Sequence, residues 1–404
     1  MDIQHLANAP DLTKTMASYV PWLISRRIAA DSTPIDHPRT ERLPAAVLFA
    51  DISGFTALTE RLAQQGPAGA EELTRILNDY FGHLIEIIAS HGGDVVKFAG
   101  DALIALFPAF DDADQPQPAL LPQATRLAAQ CSLTAQQHLN HYQATEGIRL
   151  SLKLAIGAGE VITMHLGGVF DRWEFLVTGD PLVQVGQAEG HAQPGEIAIS
   201  PQAWPLMADV ATGRAIAGTA AAKSTTVTGP VIRLTGLRQL ISPTALEAVT
   251  LSTGMAAALR CYIPGAIRAR LAANQSGWIA ELRRVTVLFV NLPDLNYAID
   301  LAQAQQIIRA LQDDLYRYEG SLNKLSVDDK GVTLVAALGL PPFAHEDDAD
   351  RGIQVALAMQ RTLSHQGLRG GIGVTTGRAF CGSVGNEWRR EYTMIGDVVN
   401  LSAR

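Results

Sequence analysis

Residues 45–50 (AAVLFA) form an unbroken apolar run between Pro44 and Asp51, which reads as a strand. From Glu71 to Ser90 the period changes. Leu73, Ile76, Leu77, Tyr80, Phe81, Leu84, Ile87 and Ile88 recur at helical spacing and predict an amphipathic helix with one apolar stripe. Asp94–Ala99 and Ala102–Phe107 flank Gly100–Asp101 and read as a β-hairpin with a tight turn. A second amphipathic helix is expected over Leu121–His141, then a strand over Leu150–Ala158 and a hairpin over Glu160–Val177. A helix over Pro181–His191 and a strand over Glu196–Ile199 complete the series. The order β-α-β-β-α-β is a ferredoxin-like core with extra strands at its end.

The pattern then repeats. PAAVLFADISG (Pro44–Gly54) is answered by RVTVLFVNLPD (Arg284–Asp294), and GGDVVKFAGD (Gly92–Asp101) by EGSLNKLSVDD (Glu319–Asp329). FLVTGDPLVQVGQAEG (Phe175–Gly190) is answered by YTMIGDVVNLSAR (Tyr392–Arg404). In the second copy a strand is expected at Val285–Val290, a helix at Asp300–Glu319 and a strand pair around Asp328–Asp329. A helix at Asp347–Ser364, a strand at Gly370–Thr375 and a hairpin at Ala379–Met394 follow. The chain therefore divides into a leader (1–43), a first domain (44–205), the end of that domain with a connector (206–281), and a second domain (282–404). The connector includes a Gly/Thr/Ser/Ala-rich stretch, Thr212–Gly229. The first copy runs well past its FLVTGD segment while the given chain stops soon after YTMIGD. The second domain is thus expected to be incomplete at its C-terminus, with further C-terminal domains possible.

The copies differ at polar positions: Asp51 stands opposite Asn291, while Lys97 stands opposite Lys324. Diverged polar sets on one repeated framework point to two related domains that build one composite site between them.

With 47% hydrophobic and 18% charged residues the chain is a globular α/β type rather than a disordered one. A net charge of −8 without a basic stripe argues against nucleic acid as a partner. Cys131, Cys261 and Cys381 are dispersed, as buried thiols of a reducing cytosol would be. No apolar run is long enough to span a membrane and the N-terminus has no signal-peptide pattern, so a cytoplasmic protein is expected.

These segments resemble the class III nucleotidyl cyclases, and most of all the soluble, bicarbonate-responsive adenylyl cyclase type with tandem cyclase homology domains. The resemblance covers about residues 40–200 and 282–404. It rests on FADISGF followed by VKFAGD, and on EYTMIGDVVNLSAR. It implies an α+β fold of two ferredoxin-like (βαββαβ) domains packed as a pseudo-symmetric heterodimer within one chain. The implied activity is conversion of ATP to 3′,5′-cyclic AMP and pyrophosphate at one two-metal site. Two Mg²⁺, with Mn²⁺ as a substitute, would be held by Asp51, Asp101 and the Ile52 carbonyl. Two hard oxygen ligands beside a glycine-containing loop suit that ion and a triphosphate. Backbone N–H groups of Ser53, Gly54, Phe55 and Thr56, where a helix opens, would cradle phosphates.

From the second domain the resemblance implies that Lys324 and Thr393 read adenine, that Asn400 orients the ribose and that Arg404 stabilises charge on the phosphates. Guanine-specific relatives usually carry Glu and Cys at the first two places. Opposite Thr393, Asn400 and Arg404 the first domain has Leu176, Val183 and Gln187, so the second pocket is degenerate. Lys97 matches a lysine that helps hold bicarbonate in that pocket of the relatives. The arginine that accompanies it there has no counterpart in Val185-Gly186-Gln187.

Plainer readings exist for each residue: Asp51 as a helix N-cap, Asp101 as a turn residue, Lys324 as a solvated strand end, and Asn400 with Arg404 as an ordinary helix face. Gly92-Gly93-Asp94 is a decoy for a different cyclase signature. His345-Glu346-Asp347-Asp348 reads as a solvated helix start rather than a metal cluster. The rival functions are a guanylyl cyclase and a catalytically silent, nucleotide- or anion-sensing module of a larger protein.

Overall fold

A computed structural model of the chain describes residues 9–216, 229–272, 281–295, 299–328 and 331–404. Two leader helices, α1 (Ala9–Ala17) and α2 (Trp22–Ala30), precede the first α+β unit. That unit opens with β1 (Arg39–Ser53), α3 (Phe55–Ala63), α4 (Pro67–Ser90), β2 (Asp94–Ala99), β3 (Ala102–Pro108) and α5 (Leu121–Leu139). It continues with β4 (Tyr142–Thr145), β5 (Ile148–Val169), β6 (Arg172–Thr178), α6 (Asp180–Glu189), β7 (Ile197–Ile199), β8 (Ala211–Ala215) and β9 (Ile232–Leu237). Helices α7 (Ala256–Arg260) and α8 (Gly265–Ala272) lead to the second unit. Its elements are β10 (Glu281–Leu292), α9 (Leu301–Tyr316), β11 (Ser321–Asp328), β12 (Gly331–Leu338), α10 (Asp348–His365), β13 (Gly371–Gly385), β14 (Arg390–Ile395) and α11 (Asp397–Ala403).

The predicted β-α-β-β-α-β order is present twice. Among the described residues the first sheet runs β2-β3-β1-β5-β7-β9-β8, with β4 and β6 also paired to β5, and the second runs β11-β12-β10-β13-β14. The stripe of α4 is what docks it: Leu73, Ile76, Leu77, Tyr80, Phe81, Leu84 and Ile88 are all buried. Each such side chain contributes on the order of 1.5–3 kcal/mol of transfer free energy.

One strand departs from its expected bounds. β1 starts at Arg39, so it runs straight through Pro44 rather than beginning after it. The β3 ladder starts only at Ala45↔Pro108, so upstream of it that side of β1 needs no hydrogen-bond donor, and proline is tolerated. The turn at Asp329 and most of the Thr212–Gly229 stretch lie outside the described residues.

The two units grip each other reciprocally. Helix α9 of the second packs on β5 of the first, where Gln305 Oε1 accepts Gly167 N at 2.8 Å and Gln305 Nε2 donates to Gly167 O at 2.7 Å. Helix α4 of the first packs on β13 of the second. There Gly385 N donates to Asn78 Oδ1 at 3.1 Å, and Asn386 Nδ2 to Gly82 O at 3.3 Å. Helix α4 stands to the first unit as α9 does to the second, so the repeat seen in the sequence becomes a pseudo-two-fold arrangement. The leader is part of the joint: Ile24 and Ile28 of α2 share one apolar cluster with Trp173 of β6, Tyr262, and Val285 of β10.

Candidate active site

Where β1 ends, Gly54 (φ 94°) turns the chain into α3, and a Cβ there would lie 2.6 Å from the Arg149 carbonyl oxygen. No side chain caps the helix. Asp51 is not the cap: it lies within β1, opposite Ala102 on one side and Lys153 on the other. Ile52 N donates to Asp101 O at 3.1 Å, which fastens the β2–β3 turn to the strand end. Two carboxylates from different elements thus share one corner with the free N–H groups that open α3.

Their proximity is electrostatically visible. Burial, and then the neighbouring Asp51 charge, pushes the Asp101 carboxyl up to about 6. Lys153, on β5, sets its Nζ 3.0 Å from Asp51 Oδ2 and also pairs with Glu189 of α6. Against burial, the Glu189 and Asp51 carboxylates hold its ammonium charged. Among the described residues no group of three or more His, Cys, Asp or Glu is arranged for a metal. A two-carboxylate corner instead suits Mg²⁺, which takes one or two carboxylates and completes its shell with water and substrate oxygens. Sequence reasoning missed Lys153. Its signal was a lone lysine between Leu152 and Leu154 in an apolar strand.

The second unit contributes through a backbone irregularity that also escaped the sequence. The β2–β3 ladder slips between Val95 and Lys97, and the β11–β12 ladder slips between Leu322 and Lys324. A bulge re-aims the residue that follows it, and in both copies that residue is the lysine. Lys324 is only 8% exposed and makes no hydrogen bond or ion pair among the described residues. Burial pushes its ammonium down to about 8 against the pull of Glu391, with Lys97 adding to the fall and Asp101 opposing it. The solvated strand-end reading therefore fails, and Lys324 lies within electrostatic reach of the carboxylate that neighbours Asp51.

Around the pseudo-axis the two units share charge. Arg389 donates to the carbonyls of Val95 (2.7 Å) and Val96 (3.4 Å) on β2 and to Glu391 Oε2 (3.2 Å), and stacks over Phe98. Burial would raise the Glu391 carboxyl, but Lys97, Lys324 and Arg389 together hold it below its ordinary value. The first unit repeats the motif: Arg172 pairs with Glu174 at 3.0 Å, and both are buried. Lys97, Arg172 and Arg389 line one small cavity between the units.

Asn323 Nδ2 donates to Tyr392 O at 3.1 Å, which ties the residue before Lys324 to the residue before Thr393. Thr393 is 1% exposed and its hydroxyl has no hydrogen-bond partner. In the first unit the equivalent Leu176 is buried in an apolar cluster. Asn400 and Arg404 lie exposed on and just after α11, and their side chains make no hydrogen bond or ion pair among the described residues. The structure therefore brings Asp51, Asp101, Lys153 and Lys324 into one field, with Thr393 alongside. It gives Asn400 and Arg404 no contact with that group. The His345 cluster is a helix-start network: His345 pairs with Glu319 (2.9 Å) and Asp348 (3.3 Å).

A family model for the adenylate and guanylate cyclase catalytic domain matches residues 38–223 and 279–404, most of both copies. The chain belongs to the class III nucleotidyl cyclases. Adenylate cyclase type 10 of rabbit is 30% identical over 96% of this chain, and that of mouse likewise. The chain spans about a quarter of the length of these relatives, 25% in each case. Among solved structures, a class III adenylyl cyclase-like ATP-binding protein from Pseudomonas aeruginosa aligns over 94% of this chain and 88% of its own. Its TM-score is 0.57 at 14% identity, a likeness of fold. No helix of the described residues is long and apolar enough to cross a membrane.

Proposed function

We propose that this cyclase is an adenylyl cyclase: it converts ATP to 3′,5′-cyclic AMP and pyrophosphate at one composite site between its two units. The observation that carries the reading is Lys324, a buried ammonium with no acceptor that stands within charge range of Asp101 and is tied through Asn323 to the unpartnered Thr393. A buried cation without a partner is costly unless a ligand supplies the acceptor. A purine ring nitrogen supplies one, and the neutral threonine hydroxyl suits the exocyclic amine of adenine better than the carbonyl of guanine paired with a lysine.

Asp51, Asp101 and the Ile52 carbonyl would hold two Mg²⁺, or Mn²⁺ in their place, and such ions would supply acidity toward the ribose 3′-hydroxyl and charge to offset the triphosphate. The 3′-hydroxyl oxygen attacks the α-phosphorus, its proton passes to water, and the bond from that phosphorus to the oxygen bridging to the β-phosphate breaks to release pyrophosphate. The N–H groups of Ser53–Thr56 would donate to phosphate oxygens, and Lys153, beside Asp51, is placed to meet the same negative charge. Asn400 orients the ribose and Arg404 meets the charge that grows on the phosphates. The dispersed, buried free thiols fit a cytoplasmic setting. Lys97 and its cavity are the place where bicarbonate or another small anion would act, with Arg172 as the nearby arginine.

The test is cyclic nucleotide production by the purified chain from ATP or GTP, with Mg²⁺ or Mn²⁺, with and without bicarbonate, beside Asp51→Asn. Cyclic AMP from the parent alone supports the reading. ATP binding without product would replace it by the silent nucleotide-sensing module, and preference for GTP by a guanylyl cyclase.

A further inference from the structure

A cavity of about 470 Å³ lies between α2, the start of β1 and the Thr163–His165 stretch of β5. It is far from the site above: Arg39 faces His165 in the β1–β5 ladder, whereas Asp51 faces Lys153. At about 3.3 Å per residue the two ends are roughly 40 Å apart along the strand.

Arg26, Arg27 and Arg42 line the cavity, and Arg39 stands beside it opposite His165. Two of these charges are matched, Arg26 by Asp114 at 3.2 Å and Arg42 by Glu160 at 2.5 Å. Arg27 and Arg39 form no ion pair among the described residues. Nε and Nη1 of Arg27 and Nε of Arg39 are buried with no hydrogen-bond partner among the described residues. Asp31, whose carboxyl is held low first by the Thr33 N–H, feels both arginines only weakly.

Glu41 and Asp114 also line the cavity, where the arginines outnumber them. Arg27 Nη2 donates to the Tyr262 hydroxyl at 3.0 Å, and that hydroxyl shares a hydrogen bond with His165 Nδ1 at 2.8 Å. Burial, with Arg27 and Arg39 adding to it, keeps the ring neutral by pushing its pKa down to about 3. Buried guanidinium N–H groups without acceptors are rare in native proteins, and each one points to a missing partner. Leu23, Phe110 and Phe175 make the remaining wall apolar.

We propose that this cavity binds a phosphate monoester, its phosphate held by Arg27 and Arg39 and its organic body against Phe110 and Phe175. Guanidinium forks match phosphate geometry, and the volume exceeds that of a bare anion. The inference does not depend on which nucleotide the cyclase uses.

The probe is phenyl phosphate, titrated calorimetrically into the full chain without divalent metal. Lys153→Ala serves as a background in which the other anion-attracting corner is disabled. Saturable binding is expected in both proteins, weakened about ten- to a hundredfold by Arg27→Gln and by Arg39→Gln, the scale of a lost charged hydrogen bond. Arg39→Gln sits at the strand start, away from the α2 joint, and keeps the test decisive if Arg27→Gln unfolds the leader. In the parent, the His165 ring resonances should shift on titration, since that ring lines the cavity. Absence of saturation, binding lost only in Lys153→Ala, or unchanged affinity in Arg39→Gln would each overturn the proposal.

Discussion

Lys324→Met should make the ligand-free protein more stable while crippling it. An ordinary lysine titrates at 10.5 and this one at about 8, so below pH 8 the native state carries the whole cost of a buried ammonium. Two and a half pKa units correspond to roughly 3 kcal/mol. Methionine fills similar volume without that cost. Part of the gain is returned, because Glu391 loses one of the three cations that keep it ionised, so a net stabilisation of about 1–2 kcal/mol is expected at pH 7.

The sign with pH is fixed by linkage. Between pH 8 and 10.5 the unfolded chain binds a proton that the native lysine has released, so the parent gains stability on the variant as pH rises. By pH 9.5 about 2 kcal/mol of the difference should have gone. Urea unfolding at pH 7 and 9.5, in EDTA and without nucleotide, measures both numbers. A variant less stable than the parent at pH 7, or a difference indifferent to pH, would show that Lys324 is not a strained, partnerless cation. In the assay with ATP, kcat/KM should fall about ten- to a hundredfold.

Asp51→Asn should abolish turnover yet leave the thermal midpoint within a few degrees of the parent, as followed by product formation beside circular dichroism. Gly54→Ala forces a side chain onto a positive-φ residue 2.6 Å from the Arg149 carbonyl. It should cost about 1–3 kcal/mol in urea melts and reduce kcat more than it changes the fold. Arg389→Met strands Glu391 between the units and removes the bonds to β2. A loss of about 3–5 kcal/mol is expected, with a broadened transition if the units part before they unfold. Leu84→Ala in the α4 stripe should cost about 2–4 kcal/mol and leave KM for ATP unchanged.

Element order was readable because the signals were long and periodic. The α4 stripe and the apolar core of β1 each carry enough repeats to decide their type. The apolar run into Asp51 and the turn at Asp101 were also legible, since a carboxylate closes the first and Gly100-Asp101 marks the second. What stayed hidden came from tertiary geometry. Nothing local to Pro44 says that the β3 ladder stops beside it, so the strand looked shorter than it is. Lys153 earns its place only through register with Asp51 and the approach of α6. The Arg-x-Glu pairs, Arg172/Glu174 and Arg389/Glu391, were visible as a further repeat. They sit just before the segments that were aligned, so the shared charge at the pseudo-axis went unread.

The paired bulges before Lys97 and Lys324 bear on the history of the chain. An extra residue that breaks a ladder at one step of one strand, and does so again at the same step of the other copy, is a single event copied by duplication. Removing it from either copy would turn every later side chain of that strand to the opposite face. Both copies have therefore kept the register of this strand, while the side chains mounted on it have diverged.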